Sequence, residues 1–81
     1  MTQAIRKRSV TIAGHKTSLS LEEAFWRELK RLAADDGASL NALIERIDRT
    51  ARGEDAVGNL SSAVRVYVLE QLRREAGRKI D

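Results

Sequence analysis

The sequence predicts a mainly helical fold with one short β ribbon, completed by a second copy of the same chain. Three observations predict it. "KTSLSL", residues 16–21, alternates polar and apolar residues, which is the two-residue period of a half-buried strand. Two amphipathic helical segments follow, parted by Gly37 and Ser39. The chain has 81 residues, and a chain this short buries only about 60% of its unfolded surface, so oligomerisation is a common route to a sufficient core.

Residues 1–8 read as a flexible basic arm and 9–81 as a single domain. Strands are expected at about 9–13 and 16–21, from the runs "SVTI" and "KTSLSL". Pairing Ala13 opposite Lys16 puts Gly14 and His15 in a two-residue turn. Glycine at the first central position suits type II′. That register sets Val10 across from Leu19 and Ile12 across from Thr17. Helix spacing then covers about 22–36, with Phe25, Leu29 and Leu32 in its apolar stripe, Leu21 just before it, and Trp26 adding bulk beside it. Ser20, three residues before Glu23, makes a capping-box pattern, and Gly37 is the expected stop.

The second helix is expected at about 39–52. Ser39 caps it, and Leu40, Leu43, Ile44, Ile47 and Ala51 form its stripe. "RGEDAVGN" reads as a loop. The last helix, about 60–76, has Ser61 or Ser62 as its cap and Gly77 as its stop. Its Val64, Val66, Tyr67, Val68, Leu69 and Leu72 cover most of the circumference, as in a helix buried inside a subunit or between subunits. The same β-branched run also suits a strand, and the polar end "EQLRREAGRK" favours helix. Arg65 on this apolar element is either a buried ion pair or an interface anchor.

The net charge of +3 is unevenly spread. Arg6, Lys7, Arg8 and Lys16 precede the first acid, Glu22, so the basic excess lies in the first quarter, on the strand-bearing part. Localised cationic charge is the footprint of a polyanion partner, or simply of a solubilising tail. With no cysteine, neither disulfides nor thiolate metal sites are available. His15 is the single histidine. It reads as a turn residue with a phosphate contact rather than a metal ligand or a catalyst. No phosphate loop, nucleophile–base pair or metal-ligand cluster is present, so no enzyme activity, catalytic residue, metal or cofactor is expected. The start of the chain does not resemble a signal peptide, and no apolar run reaches membrane-spanning length. The expectation is a soluble cytoplasmic protein with no membrane partner.

On the second strand, Thr17, Leu19 and Leu21 point one way and Lys16, Ser18 and Ser20 the other. The apolar side can pack on the helices. One edge lacks a partner within the chain, and the economical partner is the same strand of a second copy, antiparallel about a two-fold axis. The two copies would share a core of Leu19, Leu21, Phe25, Leu29, Leu32, Leu43, Ile44 and Ile47. The outer face would then be a polar ribbon, of a size the major groove of double-stranded DNA admits. Arg6, Lys7 and Arg8 would neutralise phosphates nearby, and the capped helix start at Ser39 would offer backbone N–H groups to another.

"KTSLSLEEAFWRELKRLAADDGASLNALI", residues 16–44, resembles the ribbon-helix-helix superfamily of dimeric DNA-binding proteins, which includes the Arc and methionine repressors. "RSVTIAGHKTSLSLE" and "NLSSAVRVYVLEQL" resemble recurrent blocks of a bacterial subfamily of short ribbon-helix-helix proteins. The resemblance implies a homodimer in which Lys16, Ser18 and Ser20 read bases, while Ser39, Leu40 and Asn41 hold a phosphate. "SVTI" has no counterpart in the minimal fold and would widen the sheet if it pairs beside the ribbon. "NLSSAVRVYVLEQL" itself resembles a family second helix; the 39–52 helix fits the spacing from the strand better, which makes the last helix an addition. Two functions remain open. One is a DNA-binding transcription regulator, repressor-like. The other is an antitoxin-like module whose apolar 60–72 segment holds a protein partner.

Overall fold

Two strands and three helices follow one another along the described residues: β1 (Ile5–Ile12), β2 (His15–Glu22), α1 (Glu23–Asp35), α2 (Leu40–Arg52) and α3 (Leu60–Ile80). The architecture is that of a computed structural model, which describes residues 4–52 and 59–80. Most of the expected 52–59 loop and the first three residues lie outside them. The fold is mainly helical with an antiparallel two-stranded ribbon, the class the sequence predicts.

β1 and β2 form a hairpin in which Ile12 faces His15, Val10 faces Thr17, Arg8 faces Leu19 and Ile5 faces Glu22. The turn is therefore Ala13-Gly14, one residue earlier than expected, and the cross-strand partners change with it. Both turn residues have positive φ, 51° and 84°, which is type I′ geometry and matches the twist of the strands. The shift by one pair keeps each residue on its expected face, because facing has a period of two. β1 also begins at Ile5, so Arg6, Lys7 and Arg8 belong to a strand and not to an arm.

α1 starts at Glu23 without a side-chain cap. Ser20 cannot serve as one, because β2 runs on to Glu22 and the Glu23 N–H donates to the Ala4 carbonyl (3.1 Å), extending the ladder. Its buried residues are Trp26, Leu29, Leu32 and Ala33. Trp26 occupies the core and Phe25 its margin, the reverse of the expected order. Gly37 ends α1 as expected: with φ at 69°, its N–H donates to the Ala34 carbonyl and that of Ala38 to the Ala33 carbonyl, a Schellman closure. Ser39 caps α2, its Oγ accepting from the Ala42 N–H at 3.0 Å. At α3 the cap is Asn59, whose Oδ1 accepts from the Ser62 N–H (3.2 Å), in place of Ser61 or Ser62. Gly77 does not stop α3, which runs to Ile80 through flanking residues that favour helix.

One core joins all five elements. Leu19, Leu21, Leu29, Leu43 and Ile44 are fully buried, Leu32 and Ile47 nearly so, and Phe25 packs on the cluster partly buried. Each is covered within a single chain, because Val10 and Ile12 from β1, Trp26 from α1, and Val64 and Val68 from α3 close over them. At this level the chain supplies for itself what the sequence alone suggests a second copy would supply.

Candidate nucleic-acid interface

The hairpin has two faces with different chemistry. Toward the helices it turns the buried Val10, Ile12, Leu19 and Leu21. Away from them it turns Lys7, Ser9 and Thr11 from β1 and Lys16, Ser18 and Ser20 from β2, paired as Lys7 with Ser20, Ser9 with Ser18 and Thr11 with Lys16. All are exposed except Ser20, which is half-buried. The outer face is thus a grid of short hydroxyl side chains with a lysine at two corners. The series ends on the Ile5–Glu22 pair, whose carboxylate is taken by Arg65.

The remaining cations of the first quarter sit elsewhere. Arg8 lies on the inner face with its guanidinium 5.1 Å from the Trp26 ring centroid, at the distance of a cation–π contact. Arg6 is also on that side, 2.7 Å from the Glu23 carboxylate, while its carbonyl accepts a 3.0 Å hydrogen bond from Trp26 Nε1. His15 closes the turn opposite Ile12 and is exposed.

Each backbone edge of the hairpin is partly closed. In an antiparallel ladder successive residues turn their N–H and C=O alternately toward and away from the partner strand. On β1 the outward-turned groups of Thr11 are both used: its N–H donates to Asn41 Oδ1 (2.9 Å), and its carbonyl accepts from Asn41 Nδ2 (2.8 Å). The Asn41 carboxamide sits where the peptide of another strand would sit. Near the turn, Glu45 Oε2 accepts from the Ala13 N–H at 3.3 Å. On the outer edge of β2, Ser61 Oγ donates to the Ser20 carbonyl (3.1 Å). The outward N–H and C=O groups of Lys7 and Ser9 on β1, and of Lys16 and Ser18 on β2, take no partner among the described residues.

The same contacts place the start of α2. Asn41 holds it against Thr11, beside the turn end of the hairpin, with Ser39 exposed and Leu40 partly buried. The Asn41 side chain is committed to the strand and is not free for another partner. At the opposite end, Arg65 donates to the Glu22 carboxylate at 3.1 Å and lies 5.9 Å from the Phe25 ring centroid. It is an exposed-side ion pair joining α3 to the end of β2. The Glu22 carboxyl is held below its ordinary range, first by its own backbone N–H and then by Arg65.

Sequence reasoning missed Ser9 and Thr11 as members of the outer face and Asn41 as the closing group of β1. The first two were legible in the alternation of "RSVTI"; the last depends on where α2 lands. Among the described residues no group of three or more His, Cys, Asp or Glu could hold a metal ion. No helix there is long and apolar enough to cross a membrane.

The ribbon-helix-helix domain model matches residues 5–72, which span the hairpin ribbon, α1, α2 and the first part of α3. The chain belongs to the ribbon-helix-helix family. That domain is a non-enzymatic regulator fold, and its members in general bind DNA, typically as dimers. Among solved structures, the chain is similar to an uncharacterized protein from Bordetella pertussis Tohama I, at 33% identity and a TM-score of 0.80. The match covers 94% of this chain and 62% of that one, so this ribbon-helix-helix protein spans less than two thirds of its relative's length. None of the curated proteins matches.

Proposed function

We propose that this ribbon-helix-helix protein acts in the cytoplasm as a two-fold dimer that binds specific DNA duplexes, a repressor-like transcription regulator. The observation that carries the reading is the outer hairpin face, where exposed Ser9, Thr11 and Ser18 stand between Lys7 and Lys16, with the outward backbone groups of Lys16 and Ser18 on β2 unfilled. An unfilled edge is a template for another strand. Two identical strands satisfy each other antiparallel about a two-fold axis. Pairing centred on Thr17 sets Lys16 of each copy opposite Ser18 of the other and leaves the Ser61–Ser20 bond in place. The result is a four-stranded sheet with β2 twice at its centre.

Width supports a division of roles. Three strand spacings separate the outer strands by about 14 Å, against a major groove about 12 Å wide. The central pair enters and the β1 strands ride at the rims. Lys16, Ser18 and Ser20 meet base edges, where a hydroxyl donates or accepts and an ammonium donates. Lys7 meets phosphates, as do the backbone N–H groups at the start of α2, which Ser39 and Asn41 hold beside the rim. The exposed apolar residues of α3, Val66, Leu69 and Leu72, favour a second reading in which the chain also holds a protein through that helix.

The test is selection of bound duplexes from a random pool, followed by titrations at several salt concentrations. A palindromic motif is expected, with affinity falling steeply as salt rises. Ser18→Ala should lose about 1–3 kcal/mol of discrimination between selected and scrambled duplexes. Lys7→Ala should flatten the salt slope by about one contact per subunit and leave discrimination intact. A pool that yields no enriched motif would refute the DNA reading; a Ser18→Ala protein that discriminates like the parent would refute the base-reading face.

A further inference from the structure

The cations ahead of Glu22 fall into two groups. Lys7 and Lys16 stand on the outer face of the hairpin, and Arg6 and Arg8 on the inner one. The two arginines differ in what they meet. Arg6 lies 2.7 Å from the Glu23 carboxylate, which neutralises it. Arg8 is half-buried, with its guanidinium over the Trp26 ring at 5.1 Å from the centroid. Among the described residues no carboxylate pairs with it.

Trp26 holds Arg8 in place. The ring is fully buried, and its Nε1–H donates to the Arg6 carbonyl at 3.0 Å, so it is tied to the strand that carries Arg8. A guanidinium laid on an aromatic ring uses its flat face for the contact, and its N–H donors, which lie in its plane, stay available. A fork fixed in this way loses less conformational freedom on meeting an anion than an ammonium on a free stem does.

The backbone beside Arg8 adds a donor. Ser9 turns its N–H away from β2, and that group takes no partner among the described residues. Two residues along the same edge, Asn41 closes Thr11. The open part of the β1 edge therefore carries the Ser9 N–H between Lys7 on one face and Arg8 on the other. Two cations flanking an open edge discourage a second copy of that edge, because like charges would stand across from each other. They suit a polyanion.

We infer that Arg8 and the outward N–H of Ser9 hold a phosphate of bound DNA, with Trp26 as the residue that positions the guanidinium. The inference rests on the groove-entering sheet proposed above, in which β1 rides at the rim. Phosphates lie farther from the duplex axis than base edges do. At the rim they stand beside the sheet, level with its edge and its helix side, and Arg8 is on that side. Such a contact fixes the register of the sheet on the duplex and reads no sequence.

Duplex titrations of the full chain test this, read by the anisotropy of a labelled duplex and by the emission of Trp26, the single tryptophan. Arg8→Gln should flatten the salt slope by about one contact per subunit. It should also lose the change in Trp26 emission that the parent shows on binding, and keep the parent's ratio of selected to scrambled affinity. The neutral pair Arg6→Gln/Glu23→Gln should keep the parent's slope, because those two charges already cancel. Proline is tolerated at an edge position whose N–H makes no ladder bond. Ser9→Pro should therefore bind both duplexes at least about threefold more weakly than Ser9→Ala, which removes the hydroxyl alone. An Arg8→Gln protein with the parent's slope makes Arg8 a packing residue and overturns the inference, and one that loses discrimination overturns the phosphate contact in favour of a base. Ser9→Pro that folds and binds like Ser9→Ala overturns it too, as does Ser9→Pro that loses self-association without DNA, since the edge would then belong to another copy. If Ser9→Pro does not fold, Arg8→Gln alone decides. A parent that selects no motif refutes the DNA reading and this inference with it; a parent that selects one while Arg8→Gln keeps its slope refutes this inference alone.

Discussion

Asn41 gives the sharpest test of the edge logic. Its carboxamide makes two hydrogen bonds to Thr11, at 2.9 and 2.8 Å, both exposed to solvent. A neutral hydrogen bond contributes about 0.5–1.5 kcal/mol net, and exposure places these two at the lower end. Asn41→Ala therefore loses about 1–2 kcal/mol of contact and regains up to about 0.5 kcal/mol of helix propensity, for a net loss of about 1 kcal/mol. In a domain of this size 1 kcal/mol moves the melting temperature by about 4–8 °C. Asn41→Asp should do no better than alanine, because it keeps an acceptor for the Thr11 N–H but sets a carboxylate against the Thr11 carbonyl. Thermal melts by circular dichroism read the stability, and amide hydrogen exchange at Thr11 reads the edge. Faster exchange at Thr11 and concentration-dependent association through the opened edge should accompany the lower melting point. An Asn41→Ala protein that melts with the parent and protects the Thr11 amide equally would show that the carboxamide does not stand in for a strand.

The turn and the strand end each give one more expectation. Ala13 occupies the left-handed region at φ 51°, which costs an L-residue other than glycine roughly 1–2 kcal/mol and asparagine less. Ala13→Asn, which completes an Asn-Gly type I′ pair, should raise the unfolding free energy by about 0.5–1 kcal/mol in urea titrations; an unchanged or lower midpoint would contradict the turn assignment. Glu22 has its folded pKa lowered from an ordinary 4.5, by its own backbone N–H first and Arg65 next. A lowered carboxyl pKa means stability that is present above the unfolded value and lost as pH falls through the folded one. The parent should therefore exceed Glu22→Gln in stability at neutral pH, with the gap closing as pH drops below 4.5. A gap that is constant from pH 7 to acid would remove the ionised Glu22–Arg65 pair from the account.

The parts of this fold that follow a local rule were legible in the sequence. The alternation of "KTSLSL" fixed the faces of β2, Gly37 ended α1, and Ser39 capped α2. Where two local solutions compete, the rest of the chain decides. Gly14-His15 and Ala13-Gly14 both make two-residue turns, and the longer ladder from Ile5 to Glu22 selects the second. Ser20 reads as a cap only if the strand stops there, and pairing with Lys7 carries it on. Phe25 and Trp26 each fit a helical stripe with Leu29. Trp26 takes the core because its ring fits under Arg8 and its N–H reaches the Arg6 carbonyl, and both partners come from a strand that the sequence alone reads as a flexible arm. The candidate site divides in the same way. The outward hydroxyls follow from alternation, whereas the fate of Asn41 and the separation of Lys7 from Arg6 and Arg8 depend on tertiary placement.

Base reading through short side chains demands a fixed ribbon, because a serine hydroxyl has little reach with which to correct a misplaced backbone. The hairpin is pinned from several directions. Asn41 and Glu45 hold β1 and the turn to α2, Ser61 and Arg65 hold the end of β2 to α3, and Trp26 holds Arg6 to α1. A slip of one residue would break the first pair of bonds and turn Leu19 and Leu21 to solvent, exposing two fully buried leucines at about 1.5–3 kcal/mol each. A slip of two keeps the faces but moves the left-handed φ angles onto Gly14 and His15, off the alanine-glycine turn. The register that packs the core is therefore the register that presents Lys16, Ser18 and Ser20. On the proposed reading, the helices beneath the sheet would set specificity at positions they never touch: by fixing the strand, they would decide which hydroxyl meets which base edge.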